Sequence, residues 1–309
     1  MMAPRFDILV PGEINPDLIL TGDVVPRFGQ SEQLVEDARL EPGSSSVIFA
    51  CGAARLGLRV AFAGVCGDDF AGRFMLEAMR ARGVNTDHVR VAPEERTGMS
   101  VILNRIQDRA ILTYPGTMGA LRAPEITDDL LKAAQHLHVS SYFLQTGLQP
   151  GLPDLFTRAH YLGLTTSLDT NWDPASAWRG VSDVLGHTTV FLPNAAEARA
   201  IAGIEDTTTA ATWLAERAGI VAVKMGAEGA LGAQGSRLIK VASISVQPVD
   251  TVGAGDSFDA GFVCGFLQDW DLERCLRLGV VCGALSTQAA GGTAGQPTLD
   301  EALSHLAAD

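Results

Sequence analysis

Short apolar runs with the character of β-strands alternate along most of the chain with longer segments of helical periodicity. The run from Arg59 to Val65, for example, precedes an amphipathic segment that starts after Asp69 and stops at Gly83. Aspartate is a preferred helix N-cap, and glycine commonly follows a helix C-terminus. Repeated β–α units of this length predict a parallel sheet covered by helices. The predicted strands are 6–10, 59–65, 136–140, 165–169, 190–192 and 220–224, and the predicted helices are 70–83, 127–134, 153–162, 195–202 and 209–218.

Two stretches do not fit a β–α unit. Residues 17–42 are rich in turn formers, and residues 101–114 have the pattern of a β-hairpin whose turn falls at 106–108. They fit a small β-layer that projects from the main sheet, or else ordinary surface excursions. Because they flank a Gly-Ser loop at 43–46, we favour the interpretation that about 15–42 and 97–116 form a lid.

Length and charge narrow the class of protein. With 309 residues the chain fits one large α/β domain, assigned to 1–309, and its net charge is −13. An acidic surface disfavours sequence-independent nucleic-acid binding and contact with anionic membranes. No apolar run approaches the ~20 residues of a membrane helix, and the N-terminus lacks the features of a signal peptide. The five cysteines form no C-x-x-C pair, so we expect reduced thiols and a cytoplasmic location.

The strongest local signal is the segment DTVGAGDSFDAGF, residues 250–262, between a strand-like run at 241–249 and an apolar helix. Two glycines at such a junction let the backbone approach a ligand closely. The free N–H groups and the dipole of the new helix then favour an anion, as in a phosphate-binding turn.

Asp256 stands in the first turn of that helix, beside the predicted anion site. A carboxylate there makes sense if it accepts a proton from a hydroxyl group that attacks a phosphoryl group. The alternative is that Asp256 only caps the helix, and we interpret Asp259 as an ordinary first-turn acid. The chain contains no P-loop, no dinucleotide-binding fingerprint and no protein-kinase signature.

Residues 250–262 resemble the C-terminal signature of the ribokinase-like (PfkB) carbohydrate kinase family. The segment GAARLG at 52–57, followed by RVAFAGVCGDDFAGRFM, resembles the N-terminal signature of that family. The resemblance covers nearly the whole chain. It implies a three-layer αβα fold with a central, mostly parallel sheet and a β-sheet lid over the sugar.

The resemblance also assigns the reacting centre. Asp256 matches the catalytic base of the family, and Gly253, Ala254 and Gly255 match its anion hole. Asp17 matches the aspartate that binds sugar hydroxyls, and a carboxylate that accepts hydroxyl protons suits polyol recognition.

On the nucleotide side, Asn194 and Glu197 match the N-x-x-E motif, which in the family organises magnesium-bound water and phosphate. A helix capping box is the alternative interpretation of this pair, and both can hold together. Lys224, Gly226 and Gly229 resemble the turn that contacts ATP.

The family often holds a monovalent cation such as potassium with backbone carbonyls. The resemblance places that site at Asp250 and Val252, beside the segment 287–297 on the adenine side.

The departures from the family pattern fall on the sugar side. The family commonly has two adjacent glycines and then an asparagine, whereas this chain has Gly43, Ser44, Ser45 and, at the asparagine position, Ile48. Serines can still bind hydroxyl groups, so the sugar contacts are altered, which puts ribose and adenosine in doubt. Arg105, on the predicted hairpin, could bind a carboxylate of a sugar acid, or it is simply solvated.

We therefore expect an ATP-dependent, magnesium-requiring kinase for a small sugar or sugar acid, and a homodimer formed through the lid. A nucleoside kinase of the same fold is the first alternative. A family member that binds a sugar or nucleotide without turnover is the second.

Overall fold

The computed structural model describes residues 4–105 and 108–306. The strands are β1 (Ile8–Pro11), β2 (Pro16–Thr21), β3 (Asp37–Pro42), β4 (Val60–Gly67), β5 (Asn85–Ala92), β6 (Met99–Arg105), β7 (Asp108–Tyr114), β8 (His136–Val139), β9 (Thr165–Leu168), β10 (Val190–Phe191), β11 (Ile220–Lys224), β12 (Ala230–Gln234) and β13 (Arg237–Val241). The helices are α1 (Ser45–Arg55), α2 (Phe70–Ala81), α3 (Asp128–Lys132), α4 (Leu152–Tyr161), α5 (Val181–Leu185), α6 (Ala195–Ala202), α7 (Thr207–Ala215), α8 (Ala254–Leu267), α9 (Leu272–Ser286) and α10 (Leu299–Leu306).

The main sheet has nine strands in the order β13-β12-β11-β10-β9-β8-β1-β4-β5. All neighbours from β11 to β5 are parallel, and only the β11–β12 and β12–β13 pairs are antiparallel. The predicted class, a central mostly parallel sheet between helical layers, is confirmed. Chain order reverses between β8 and β1, and the carboxyl ends of the strands at such a point form a crevice suited to a ligand.

Both faces of this sheet are buried. Along β1, Ile8 and Val10 pack into one apolar cluster and Leu9 into the other, because successive side chains of a strand point to opposite faces. The first cluster includes buried residues of α1, α2, α8 and α9, and the second includes those of α4, α5 and α7.

A second sheet, which we call the small sheet, has the strand order β3-β2-β6-β7. Its strands lie within the two stretches predicted as a β-layer, although residues 106 and 107 of the predicted hairpin turn lie outside the described residues. Asp17, Ile19, Ser100 and Ile102 are buried on its inner face, whereas the alternate residues from Leu18 along β2 and from Met99 along β6 are partly or fully exposed. The small sheet is thus two-sided, with a polar and apolar inner face turned toward the main body.

The strand predicted at 241–249 is wrong. β13 ends at Val241, and the residues from 242 to 250 form no strand. The N–H groups of Val249 and Asp250 donate instead to the carbonyl of Thr287, at the end of α9, so this segment follows a helix terminus rather than a strand.

The other predicted strands and helices are present with shifts of a few residues at their ends. Asp69 caps α2 by accepting from the N–H of Gly72, and Gly83 follows that helix with φ +83°. None of the helices in the described part of the chain combines the length and the hydrophobicity that a bilayer-spanning helix requires.

Candidate active site

The carboxyl ends of the parallel strands bring several polar residues to one edge of the sheet. Glu13 follows β1, Ser141 follows β8, Asp169 follows β9, Asn194 follows β10 and Lys224 ends β11. Helix α8 begins at the same edge, so its N-terminus faces these groups. The fold therefore collects charged side chains from strands that are far apart in the sequence.

The turn before α8 requires a glycine at position 253. Gly253 has φ +72°, and a Cβ atom there would lie 2.9 Å from Ile48 Cγ2 and 2.7 Å from Gly292 Cα. Helix α8 starts at the next residue, Ala254. The N–H groups of Gly255 and Asp256 belong to the first turn, where a helix supplies no acceptor, so they remain suited to an anion.

The Asp256 carboxyl group is buried beside this turn. Burial and the negative charge of Asp169 raise its pKa to about 8, while Lys224 and the Ser45 hydroxyl that faces it act in the opposite direction. Glu13 adds a smaller upward contribution. A carboxylate destabilised in this way is a stronger base than an exposed one.

Lys224 lies at the centre of a buried ionic cluster. Its Nζ atom is 2.7 Å from Asp169 Oδ2 and 3.0 Å from Asp259 Oδ2. Burial opposes its charge, but the two carboxylates outweigh burial and raise the pKa of Lys224. A Cβ atom on Gly255 would lie 3.6 Å from Nζ, so the ammonium group stands next to the predicted anion hole.

The interpretation of Asp259 as an ordinary first-turn acid is wrong. Its side chain is fully buried and ion-paired, because α8 is covered on this side by the sheet. Burial raises the pKa of Asp259 well above its usual range, and the charge of Asp169 adds to this. Carboxylate oxygens of Asp169, Asp256 and Asp259 lie within 4.8 Å of one another, and the cation that two of them hold in the structure is Lys224.

Asn194 and Glu197 form the capping box of α6. Asn194 Oδ1 accepts from the N–H of Glu197 at 2.9 Å, and Glu197 Oε2 accepts from the N–H of Asn194 at 2.8 Å. Burial and the nearby charge of Asp169 raise the pKa of Glu197 to about 7. Asn194 also forms a β-bridge with Lys224, so the pair adjoins the ionic cluster.

Asp17 lies on the inner face of the small sheet, and its carboxylate accepts a hydrogen bond from Asn15 Nδ2 at 3.2 Å. A Cβ atom on Gly43 would overlap the Asp17 carboxylate, so only glycine fits there. Burial raises the pKa of Asp17 to about 7, with Arg109 lowering it and Glu13 raising it.

Ser44, Ser45 and Ser46 form the serine loop before and at the start of α1. Asn171 Nδ2 donates to Ser45 Oγ at 2.8 Å, and the same hydroxyl faces Asp256. The loop therefore lies between Asp17 and Asp256, and the structure brings together the predicted residues of the sugar side and the reacting centre.

Arg105 lies at the exposed end of β6, on the rim of a cleft of about 860 Å³ between the small sheet and residues 248–252. Strand alternation puts it on the face opposite Asp17 and Ser100. Arg109 pairs with Asn104 and shares the inner face, so it is better placed than Arg105 for an anionic group of a ligand.

The remaining predicted positions are turns. Gly226 follows β11 with φ +58° and open space around it, whereas a Cβ atom on Gly229 would overlap the carbonyl of Val241. The Asp250 carboxylate accepts from the N–H groups of Val252 and Gly291, each at 3.0 Å, and so ties the segment 287–297 to the glycine turn.

Four residues of the site were not singled out from the sequence as site residues: Glu13, Asp169, Asn171 and Asp259. The available signal was their position, since Asp169 directly follows a buried strand, Glu13 and Asn171 lie two and three residues after one, and such positions meet at one sheet edge in a parallel sheet. The histidines of β8, by contrast, hold no metal site among the described residues: His136 and His138 both hydrogen-bond Ser167 Oγ at 2.7 Å.

Removing the Lys224 ammonium group should destabilise the fold strongly. We expect Lys224→Met to lower the free energy of unfolding by about 3–5 kcal/mol near neutral pH, because buried carboxylates lose their counter-charge. Lys224 lowers the pKa values of both Asp169 and Asp259 in the wild type, so without the ammonium burial raises the pKa of Asp169 above its unfolded value and that of Asp259 still further. The folded variant then binds extra protons, so its deficit relative to wild type shrinks as the pH falls.

Urea denaturation followed by circular dichroism at several pH values measures this effect. Lys240→Met is the matched control, because Lys240 forms an exposed pair with Glu228 at 3.4 Å, and such pairs contribute about 0–1 kcal/mol. Equal losses in the two variants would contradict the role given to the buried cluster.

Comparison with known proteins agrees with this geometry. A family model described as pfkB family carbohydrate kinase matches residues 6–299. A protein of Archaeoglobus fulgidus, named as an uncharacterized sugar kinase, is 34% identical over 250 residues, which cover 80% of this chain and 98% of that protein. A 2-dehydro-3-deoxygluconokinase of Bacillus subtilis is 31% identical over 280 residues, or 84% of each chain.

Solved structures share the fold. A putative ribokinase II from E. coli, in complex with ATP and Mg²⁺, has a TM-score of 0.86 at 22% identity, covering 98% of this chain and 100% of that one. Because the family model spans nearly the whole chain, the protein belongs to the pfkB family of carbohydrate kinases, and it is a phosphotransferase.

Proposed function

We propose that this sugar kinase transfers the γ-phosphoryl group of ATP to a hydroxyl of a small sugar or sugar acid, with Asp256 as the general base. The observation that carries the proposal is the position of Asp256. Its carboxylate lies between the first-turn N–H groups of α8 and the serine loop, with a pKa raised by burial to about 8.

In this mechanism the acceptor hydroxyl lies between Asp17 and Asp256. Asp256 takes the proton as the hydroxyl oxygen attacks, and Asp17 orients the sugar by accepting from neighbouring hydroxyl groups. The N–H groups of Gly255 and Asp256 in the first turn of α8 stabilise negative charge on the transferred group, and the Lys224 ammonium lies beside Gly255.

The chain also has residues that fit ATP and magnesium. Glu197 uses one carboxylate oxygen for the N–H of Asn194, which leaves the other for a metal-bound water. Gly226 offers an open backbone turn to the nucleotide, and Gly229 closes that turn. Magnesium, when bound, neutralises charge on the phosphate oxygens.

For a monovalent cation such as potassium, fewer oxygen ligands are available at the predicted site. Both oxygens of the Asp250 carboxylate already accept backbone N–H groups, and so does the Thr287 carbonyl. Any such cation would therefore use the backbone carbonyls of Asp250 and Val252.

Arg109 favours the sugar-acid branch of the proposal. It lies on the inner face with Asp17, and Arg105 adds a second guanidinium group at the rim of the cleft. Arginine binds carboxylates in a bidentate manner, so the Arg109 guanidinium would hold an acidic substituent of the substrate on this face.

A nucleoside acceptor is the second candidate, because an aromatic cluster lies beside Asn171. Trp178 packs edge-to-face against Trp172 at 5.1 Å and against Phe143 at 5.6 Å, and Trp172 is half exposed. An exposed indole next to the serine loop could stack on a base.

The small sheet fits the role of a lid that excludes water and joins two subunits. Its outer face, defined by Leu18, Leu20, Leu40, Val101, Leu103, Leu112 and Tyr114, is apolar and partly exposed. A second copy of the chain would cover this face in a homodimer.

Turnover on defined acceptors tests the proposed activity. We expect ADP release with magnesium-ATP on one of D-ribose, D-fructose, 2-dehydro-3-deoxy-D-gluconate or adenosine. Asp256→Asn should lower kcat about 10²- to 10⁴-fold, because the base is lost. Asp300→Asn, an exposed first-turn acid of α10, is the control and should change nothing.

If no acceptor supports turnover above Asp256→Asn while one of them raises the melting temperature, the protein binds without catalysis and the proposal is wrong. Turnover on adenosine alone would instead favour the nucleoside candidate.

The raised pKa of Asp256 predicts a pH profile. The base must be ionised, so kcat/KM should fall about tenfold per pH unit below about 8 and level off above it. The charged groups that face Asp256 are Asp169, Lys224, Glu13 and Asp259. Ser45→Ala removes a hydroxyl that lowers this pKa, so the acidic limb should move to higher pH, and a flat profile would contradict the assignment.

Leu112 tests the outer face of the small sheet, because its side chain is 60% exposed in one subunit. In size-exclusion chromatography with multi-angle light scattering, we expect the wild type to be a dimer. Leu112→Lys should be a monomer, because burying a lysine charge in the interface opposes association. Leu238→Lys, at a 43% exposed position on β13, should remain dimeric. A monomeric wild type would exclude the lid-mediated dimer.

A further inference from the structure

Ser44 has a backbone conformation that residues with side chains rarely adopt. Its φ is +65° and its ψ is 121°, and it stands where the family pattern has a glycine. Such a conformation persists only where the surroundings impose it, and it concentrates at functional sites. Something in this structure must therefore hold Ser44 in place.

Glu13 provides that hold. The Ser44 hydroxyl lies 2.7 Å from the carbonyl oxygen of Glu13 and 2.9 Å from its carboxylate Oε1, and it accepts from the N–H of Val47 at 3.1 Å. With one proton donated to Glu13 and one bond accepted from the helix, the Ser44 side chain cannot turn without losing both contacts.

Glu13 holds the other end of the serine loop as well. The Ser46 hydroxyl donates to Glu13 Oε2 at 2.6 Å, and the N–H of Ser46 approaches Oε1 at 3.3 Å. Glu13 is only 2% exposed, so these loop groups take the place of water around its carboxylate. One carboxyl group thus accepts hydrogen bonds from Ser44 and Ser46, the residues on both sides of Ser45.

The serine loop and the adjoining Gly43 lie at both ends of the proposed acceptor site. Gly43 packs directly against the Asp17 carboxylate, and the Ser45 hydroxyl faces Asp256. Because Ser44 links these two residues, its backbone conformation sets the position of Gly43 relative to Ser45. The position of the acceptor relative to the base therefore depends on this one conformation.

We propose that Glu13 is a positioning residue that holds Ser44 in its positive-φ conformation and so orients the serine loop toward the acceptor sugar. The proposal rests on the proposed kinase function. In this chain, hydrogen bonds between a buried carboxylate and two serine hydroxyls maintain the positive φ at position 44. In the family pattern a glycine adopts such a φ without support.

The consequence is an energetic coupling between positions 13 and 44. When Ser44 is replaced by glycine, the backbone adopts positive φ without strain, and the loop needs Glu13 less. A contribution of Glu13 that does not pass through Ser44 would be independent of the residue at position 44. A double-mutant cycle separates these two cases.

The experiment compares wild type, Glu13→Gln, Ser44→Gly and the double variant on the acceptor with the highest wild-type kcat/KM. We expect Glu13→Gln to raise the KM for the acceptor about 10- to 100-fold, the scale of a misplacement near 1 Å, with the KM for ATP unchanged. In the Ser44→Gly background the same substitution should raise the KM for the acceptor less than about threefold. Glu77→Gln, on the exposed face of α2, is the matched control.

Equal effects of Glu13→Gln in both backgrounds, or equal changes in the KM for ATP and for the acceptor, would overturn the proposal. If Glu13→Gln does not fold, Glu13→Asp keeps the charge but shortens the reach, and the same cycle is run with it. Wild-type turnover and its loss in Asp256→Asn decide the proposed function. The ratio between the two backgrounds alone decides the role of Glu13, so the two failures are distinct.

Discussion

The buried ion pairs of Lys224 hold the centre of this enzyme together. They join the ends of β9 and β11 to helix α8, through Asp169 and Asp259. Charges removed from water are stable only when they are paired, so the three groups require one another. The glycine turn, which belongs to the first turn of α8, is thereby fixed relative to the strand ends, and the acceptor side is built around it.

The same arrangement explains why an acidic protein can support chemistry on an anionic phosphate. The net charge is −13, yet the edge of the sheet where α8 begins presents helix N–H groups and one buried ammonium. These donors act on a phosphate at contact distance in a site of low dielectric, whereas the charges of the acidic surface are distant and screened by salt. Burial also keeps the pKa values of Asp17, Glu197 and Asp256 near neutrality, which suits groups that bind or exchange protons.

Local patterns predicted much of this structure. The β–α alternation predicted the parallel sheet, and the caps at Asp69 and Gly83 predicted α2, because caps act on their own helix ends. The prediction of a strand at 241–249 was wrong. The N–H groups of Val249 and Asp250 donate to the carbonyl of Thr287, a partner that local sequence does not specify. Asp259 was misread for a related reason, because the covering of α8 by the sheet is a tertiary contact.

By itself the sequence determined the family, the order of the elements, the glycine turn and the presence of Asp256 in the first turn of α8, because these depend on neighbours in the chain. Only the tertiary structure decided that Glu13, Asp169 and Asn171 reach the site, since the order of strands in the sheet sets which strand ends meet. It also placed Arg109, and not Arg105, on the face of the small sheet that carries Asp17, because the register of β6 and β7 sets which side chains share a face. Contacts between distant segments follow from packing, and packing is a property of the whole chain.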